Sequence, residues 1–287
     1  MKPKVNIIGV NSVIGSYLYS ALQTTCTING TYFNHKIETG NIYLDITNYE
    51  NLLDVLSQFD GSIVILLSAC KDVKKCEENY DLSYRLNTQP VKDIVEIIEK
   101  NRYNIKFIFF SSDYVFEGTT GNYAPESLLN PKTNYGRTKA AAENLLMHSK
   151  IDNIIIRTSS VMGPRALFFT WLIKAIKNGE DIELFSNIYF SPTPINFLSE
   201  IMIKVINDYY YTPLNVPSIM HIVGERRLSR FELAREIYFI LKGNGRLIPV
   251  IKDLANDTFQ KDLSMKQSEY VKNIQNKIFI EYIKAFL

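Results

Sequence analysis

Val5-Asn6-Ile7-Ile8-Gly9-Val10-Asn11-Ser12-Val13-Ile14-Gly15 decides the fold. An apolar run ends in glycine, and apolar residues at helical spacing take over from Val13 to Leu22. The strand-turn-helix unit repeats downstream. Thr27–Phe33, Ile42–Leu44, Ile63–Leu67, Lys106–Phe110 and Asn153–Ile156 read as further strands. The run IVILL is of the continuous apolar kind that is buried on both faces, and KFIFF is the next strand. Between them, Asn51–Phe59, a long stretch ending at Val91–Lys100, and Tyr135–Met147 read as helices. Strands alternating with helices imply a parallel sheet covered on both sides, an α/β doubly wound fold with right-handed crossovers. Function is then expected just after the strands, at their carboxyl ends.

After Gly163 the alternation loosens. Helices are expected over Ala166–Lys177, Asn196–Tyr209 and Ser229–Leu241, the last with Ser229 as N-cap and Glu232 completing a capping box. A late strand is expected at Met220–Val223. This pattern predicts a smaller interleaved lobe: residues 1–160 and 193–224 in the nucleotide-binding Rossmann domain, and 161–192 and 225–287 in a substrate-binding lobe.

Bulk properties narrow the class. The chain has 287 residues, 46% hydrophobic and 22% charged, which is an ordinary globular composition. A formal charge of +2 is too small to argue for nucleic acid or an anionic membrane. The N-terminus lacks the long apolar run of a secretory signal, and no apolar stretch reaches membrane-spanning length. Cys26, Cys70 and Cys76 fit no C-x-x-C spacing and read as reduced structural thiols, which points to the cytoplasm. His35, His148 and His221 form no metal-ligand cluster in the sequence, so no metal is expected.

The first turn carries the cofactor signal. Backbone amides of Asn11, Ser12, Val13 and Ile14 at a helix N-terminus suit a pyrophosphate. Gly9 permits the tight turn and Gly15 close helix–strand packing. Ser12 stands where a middle glycine is usual, and its hydroxyl is a candidate phosphate contact. At the end of the second strand an acid would select NAD through the ribose 2′-OH. Thr31-Tyr32-Phe33-Asn34-His35-Lys36 contains none. Asn34, His35 and Lys36 instead suit a 2′-phosphate, so NADP(H) is preferred and NAD(H) remains the alternative.

The catalytic signal is Tyr135-Gly136-Arg137-Thr138-Lys139 with Ser112 upstream. Tyr135 and Lys139 are one turn apart and share a helix face. The expectation is that the ammonium favours the phenolate and lowers the phenol's titration. Tyr135 then donates a proton to a carbonyl oxygen as hydride reaches the carbon, and Ser112 hydrogen-bonds the same oxygen.

These motifs together resemble the extended short-chain dehydrogenases, specifically the dTDP-4-dehydrorhamnose reductase branch. Ser111-Ser112-Asp113-Tyr114-Val115-Phe116-Glu117-Gly118 is similar to that branch's S-T-D-Y-V-F-D-G. Asn134–Lys139 with Glu143 is similar to Y-G-x-x-K-x-x-x-E. Arg157–Gly163 resembles R-T-S-W-V-Y-G, Ser191-Pro192-Thr193 a substrate-half motif, and Leu44-Asp45-Ile46-Thr47 a segment near the adenine; Asn87 occupies a structural asparagine's position. The resemblance implies hydride transfer from NAD(P)H to C4 of a 4-keto-6-deoxy sugar nucleotide, with Ser112, Tyr135 and Lys139 catalytic. It adds Asp45, Ile46, Ser68 and Ala69 to the cofactor contacts.

The substrate side departs from the branch. Ser160 replaces the aromatic after R-T-S, Asn187-Ile188-Tyr189-Phe190 replaces D-Q-x-G, and no R-P pair is evident around Gln260-Lys261-Asp262. An altered sugar specificity is the implied consequence. Asp113, Tyr114, Ser160, Arg165, Tyr189 and Lys261 are the candidate substrate contacts, with plain packing as each one's competing role. The expected partners are a nucleotide-sugar substrate and a second copy in a homodimer, with no nucleic acid and no membrane. Two other readings stand beside the reductase. One is a non-catalytic NADP-binding regulatory subunit, as in the methionine adenosyltransferase partner of this branch. The other is a nucleotide-sugar epimerase that keeps its cofactor tightly bound.

Overall fold

Each apolar run of the first half becomes a strand, because alternate side chains have a helix to pack against on either side. The computed structural model describes residues 2–34, 42–254 and 260–287. In chain order these form β1 (Lys4–Ile8), α1 (Val13–Leu22), β2 (Thr27–Tyr32), β3 (Ile42–Tyr43), α2 (Tyr49–Ser57), β4 (Ile63–Leu66), α3 (Val73–Glu78), α4 (Tyr80–Asn87), α5 (Gln89–Asn101), β5 (Lys106–Ser112), α6 (Asn134–His148) and β6 (Asn153–Thr158). Then follow β7 (Val161–Met162), α7 (Leu167–Lys177), β8 (Ile182–Phe185), β9 (Tyr189–Phe190), β10 (Thr193–Pro194), α8 (Ile195–Tyr211), β11 (Ile219–His221), β12 (Leu228–Ser229), α9 (Arg230–Leu241), β13 (Leu247–Val250), α10 (Glu269–Ile274) and α11 (Phe279–Lys284).

Among the described residues seven strands make one parallel sheet in the order β11-β6-β5-β4-β1-β2-β3. From β1 the chain runs outward to β2 and β3, then returns through β4 toward the opposite edge. The carboxyl ends of β1 and β4 therefore frame the topological switch point, the crevice where open sheets bind ligands. On one face Ile7, Ile65, Ile108 and Ile156 pack with Leu18 of α1 and with Leu198 and Met202 of α8. On the other Ile8, Val64, Phe107 and Ile155 pack with Leu56 of α2, Ile94 of α5 and Leu146 of α6.

The lobe has its own core, where Phe169 and Leu172 of α7 and Leu233 and Ile237 of α9 meet Ile182 and Leu184 of β8. β8 pairs with β13 and β9 with β12. Ser229 caps α9 as expected. Its side chain accepts from Glu232 N at 3.1 Å, and its own N–H donates to Glu232 Oε2 at 2.7 Å. Among the described residues no helix is long and apolar enough to cross a membrane.

Two expectations need correction. The long helical stretch before Lys100 is three helices, not one. Asn79 takes an extended conformation and caps α4 by accepting from Leu82 N at 2.9 Å. Pro90, which has no N–H to give an interior helical bond, sits in the first turn of α5. The final segment is not confined to the lobe. Phe279 and Ile283 pack in the lobe core, but Val271 of α10 and Tyr282 of α11 pack with α8 against the sheet.

A buried ion pair fixes α6 to the sheet. Arg157 of β6 donates to Glu143 of α6 through Nε (3.0 and 3.1 Å) and Nη2 (2.7 Å), with side chains 2% and 0% exposed. Its Nη1 donates to Pro125 O at 2.8 Å and lies 3.2 Å from His221 Nε2. Burial and the neighbouring guanidinium push the His221 imidazole down to about 3, so it is neutral. Nε2 then accepts from Arg157, and Nδ1 donates to Lys266 O at 3.1 Å. Removing one partner strands the other charge in the interior. Glu143→Ala is expected to lose about 3–5 kcal/mol in urea unfolding followed by circular dichroism; a loss below about 1 kcal/mol contradicts this role.

Candidate active site

A cavity of about 770 Å³ opens at the switch point, between the carboxyl ends of the strands and the lobe. The glycine turn forms one end. Gly9 has φ +91°, and a Cβ added there would stand 2.9 Å from Ser68 N, so glycine lets the turn lie directly against the end of β4. Gly9, Asn11, Ser12, Val13 and Ile14 line the cavity, as do Asn34, Ile46, Ser68 and Ala69. Ser12 is the N-cap of α1, its side chain accepting from Gly15 N at 2.9 Å, so the oxygen is engaged and the hydroxyl proton remains to donate to a ligand. Gly15 lies beneath the turn, outside the lining. Asp45 is also outside the lining, its Oδ1 accepting from Thr47 N (2.9 Å) and Thr47 Oγ1 (2.7 Å). His35 and Lys36 lie outside the described residues. Ser111 Oγ and Thr158 Oγ1, both in lining residues, are buried without a hydrogen-bond partner among the described residues. A capped helix N-terminus, an apolar slot and unpartnered hydroxyls at the strand ends fit a dinucleotide.

Ser112, Tyr135 and Lys139 all line the cavity. Thr133 caps α6 by accepting from Gly136 N at 3.0 Å. A Cβ at Gly136 would fall 2.1 Å from Tyr114 O, so this glycine lets the helix start flush against the turn that follows β5. That contact brings Tyr135 into hydrogen-bond contact with Ser112. Ser112 Oγ donates to Asp113 Oδ1 at 2.8 Å, and Ser159 Oγ donates to Asp113 Oδ2 at 2.5 Å. Burial pushes the Asp113 carboxyl up to about 6, against the pull of these two serines. Asn87 bridges the end of β4 to α6: it accepts from Cys70 N at 2.8 Å and donates to Thr138 Oγ1 at 3.2 Å.

The electrostatics differ from the expectation of an acidified tyrosine. Burial drives the Tyr135 phenol above its ordinary value, the Ser112 hydrogen bond opposes this, and the nearby Asp113 adds to the rise. Burial also pushes the Lys139 ammonium down to about 7, with Glu143 opposing. Lys139 Nζ donates to Phe110 O at 2.5 Å and lies 4.0 Å from the centre of the Phe109 ring. Desolvation thus decides both shifts, against the acidified phenol that the four-residue spacing suggested.

Asp113, Tyr114, Ser160, Arg165 and Tyr189 line the cavity, and Lys261 does not. The Lys261 side chain is exposed, while its backbone carbonyl accepts from Tyr189 N at 2.9 Å. Its neighbour Gln260 lines the wall instead, donating to Phe116 O (3.0 Å) and Glu117 O (2.7 Å). The Tyr189 ring lies under Arg227, 3.4 Å from its centre, and Arg227 pairs with Asp262 at 2.7 Å. Sequence reasoning missed Thr158, Ser159, Phe168 and Arg230, which also line the cavity. Thr158 and Ser159 had a signal, since they end β6 as Ser112 ends β5. Phe168 and Arg230 had none, because only the folding of the lobe brings them in.

Comparison with known proteins agrees with this architecture. Over 252 residues the chain is 24% identical to a probable low-salt glycan biosynthesis reductase of Haloferax volcanii, covering 84% of this chain and 81% of that one. It is 26% identical over 226 residues to a dTDP-4-dehydrorhamnose reductase of Aggregatibacter actinomycetemcomitans, covering 78% and 76%. The crystal structure of a Bacillus anthracis dTDP-4-dehydrorhamnose reductase in complex with NADP superposes with a TM-score of 0.84 at 24% identity, covering 100% and 99%. Residues 3–270 match the family described as RmlD substrate binding domain, and the chain belongs to that family.

Proposed function

We propose that this protein is an NADPH-dependent reductase of a 4-keto-6-deoxy sugar nucleotide, resembling the dTDP-4-dehydrorhamnose reductases and supplying an activated deoxysugar for surface polysaccharide or glycoconjugate synthesis. The reading is carried by one observation: a half-buried Tyr135 hydrogen-bonded to Ser112, with a buried Lys139 one turn on, all three lining a cavity at the sheet's switch point. The names of the reductase relatives support it. Free thiols at Cys26, Cys70 and Cys76 support work in the cytoplasm.

Each residue has a chemical task. When bound, the reduced nicotinamide supplies hydride to the carbonyl carbon. Tyr135, kept protonated by burial, gives its proton to the carbonyl oxygen. Ser112, turning its one hydroxyl proton from Asp113 to that oxygen, hydrogen-bonds it and steadies the developing charge. Lys139, positively charged below about 7, stabilises the phenolate left on Tyr135. Asp113 holds Ser112 in place and is itself held by Ser159. Ser160, where the branch has an aromatic, removes a stacking surface and supports an altered sugar specificity.

Tyr135→Phe is expected to lower kcat for a 4-keto-6-deoxy sugar nucleotide by about 100- to 10,000-fold, with NADPH affinity unchanged and kcat/KM higher for NADPH than for NADH in the parent protein. Undiminished turnover in the variant contradicts the proton donor, and equal use of NADH contradicts the cofactor preference. Because Lys139 carries its charge only below about 7, kcat/KM for reduction is expected to fall as pH rises through that value. Lys139→Met is expected to be slow throughout and to lack that limb. A profile in the parent protein that rises with pH over this window rejects the role of the ammonium.

A further inference from the structure

Among the described residues the lobe contributes two arginines to the cavity wall: Arg165, just before α7, and Arg230, the first residue of α9. They face different regions. Arg165 Nη2 donates to Asn11 O in the glycine turn at 3.4 Å, and its charge acts on Tyr17 of α1. It therefore spans from the lobe to the N-terminal end of the helix that takes the cofactor's phosphates. Arg230 lies on the substrate side. Its guanidinium is 4.8 Å from the centre of the Phe168 ring, and the Tyr114 phenol acts on it electrostatically. Tyr114 packs edge-on against Tyr135, with ring centres 5.6 Å apart.

We propose that the two arginines take separate anionic ligands: Arg165 clamps the pyrophosphate of the dinucleotide, and Arg230 binds the diphosphate of the sugar nucleotide. This rests on the reductase reading and deepens it. In a pyranose whose C4 carbonyl meets Tyr135, the anomeric carbon that bears the diphosphate lies across the ring. The diphosphate therefore falls one sugar ring away from the phenol, and Arg230, beside the Phe168 ring, lines the same cavity as Tyr135 from the lobe. A planar guanidinium matches two phosphate oxygens at once, and the Phe168 face restricts its orientation. Burial lowers the Arg230 titration from its usual value, consistent with a low-dielectric wall in which an anionic partner is held strongly. The assignment moves Arg165 from the substrate to the cofactor and gives substrate recognition a residue that the sequence did not single out.

Calorimetry on the full chain separates the two. Arg165→Ala is expected to weaken NADP binding by about 10- to 100-fold, while leaving adenosine 2′-monophosphate, which lacks the pyrophosphate, unchanged. Arg230→Ala, assayed with saturating NADP, is expected to weaken dTDP and UDP by a similar factor, down to the level of thymidine and uridine, with NADP affinity intact. Arg230→Lys is expected to recover part of the loss, and thermal melting of each variant confirms that it is folded. The assignment of Arg230 is overturned if Arg230→Ala binds both nucleoside diphosphates as the parent does, weakens NADP equally, or if the parent binds nucleosides as tightly as their diphosphates. That of Arg165 is overturned if NADP affinity survives its removal. A parent protein that binds no NADP overturns the reductase reading itself, a result distinct from either arginine's failure.

Discussion

The Arg157–Glu143 ion pair is the constraint on which the site depends. It joins β6 to α6 at a depth where neither charge reaches water. A buried charge is tolerated only with its partner and its remaining hydrogen bonds in place. Pro125 O and the neutral His221 supply those bonds. Glu143 lies one turn beyond Lys139 and two beyond Tyr135, so anchoring its carboxylate sets the rotation of α6. At the other end of that helix Gly136 closes onto the backbone of Tyr114. Pinned at Gly136 and at Glu143, α6 holds the phenol in the cavity wall and the ammonium against Phe110 O of β5.

Burial then decides the protonation states. The same enclosure that raises the Tyr135 phenol lowers the Lys139 ammonium and raises the Asp113 carboxyl. In each case the neutral form is favoured, as desolvation requires. For a reduction this starting state is useful. The proton to be donated is present, and Ser112 is held by a carboxyl group that is itself hydrogen-bonded on both oxygens. A charge that develops on the substrate oxygen arises in a low-dielectric space, where fixed donors act strongly.

Much of this was legible in the residues. IVILL is apolar throughout, and KFIFF from Phe107 onward, because both faces of a central parallel strand are covered, and Ser229 with Glu232 announced a helix start that the structure contains. Ser112, Tyr135 and Lys139 were recognisable from spacing and from their place after a strand. What escaped was set by tertiary structure. The break at Asn79 is a local capping choice inside a helical pattern. Arg230 reaches the cavity only because α9 folds back onto α7 through the lobe core. The direction of the Tyr135 shift was misjudged because the sequence shows the neighbouring ammonium but not the desolvation of the phenol, which decides the direction.

Ionisation of Tyr135 in the cofactor-free protein tests this picture most directly. It is read as the tyrosinate difference absorbance between the parent chain and Tyr135→Phe across a pH titration. The expected result is no signal from Tyr135 below about pH 10, the ordinary phenol value. A phenolate appearing near neutral pH would show a solvated or strongly acidified tyrosine and contradict the desolvated, protonated donor.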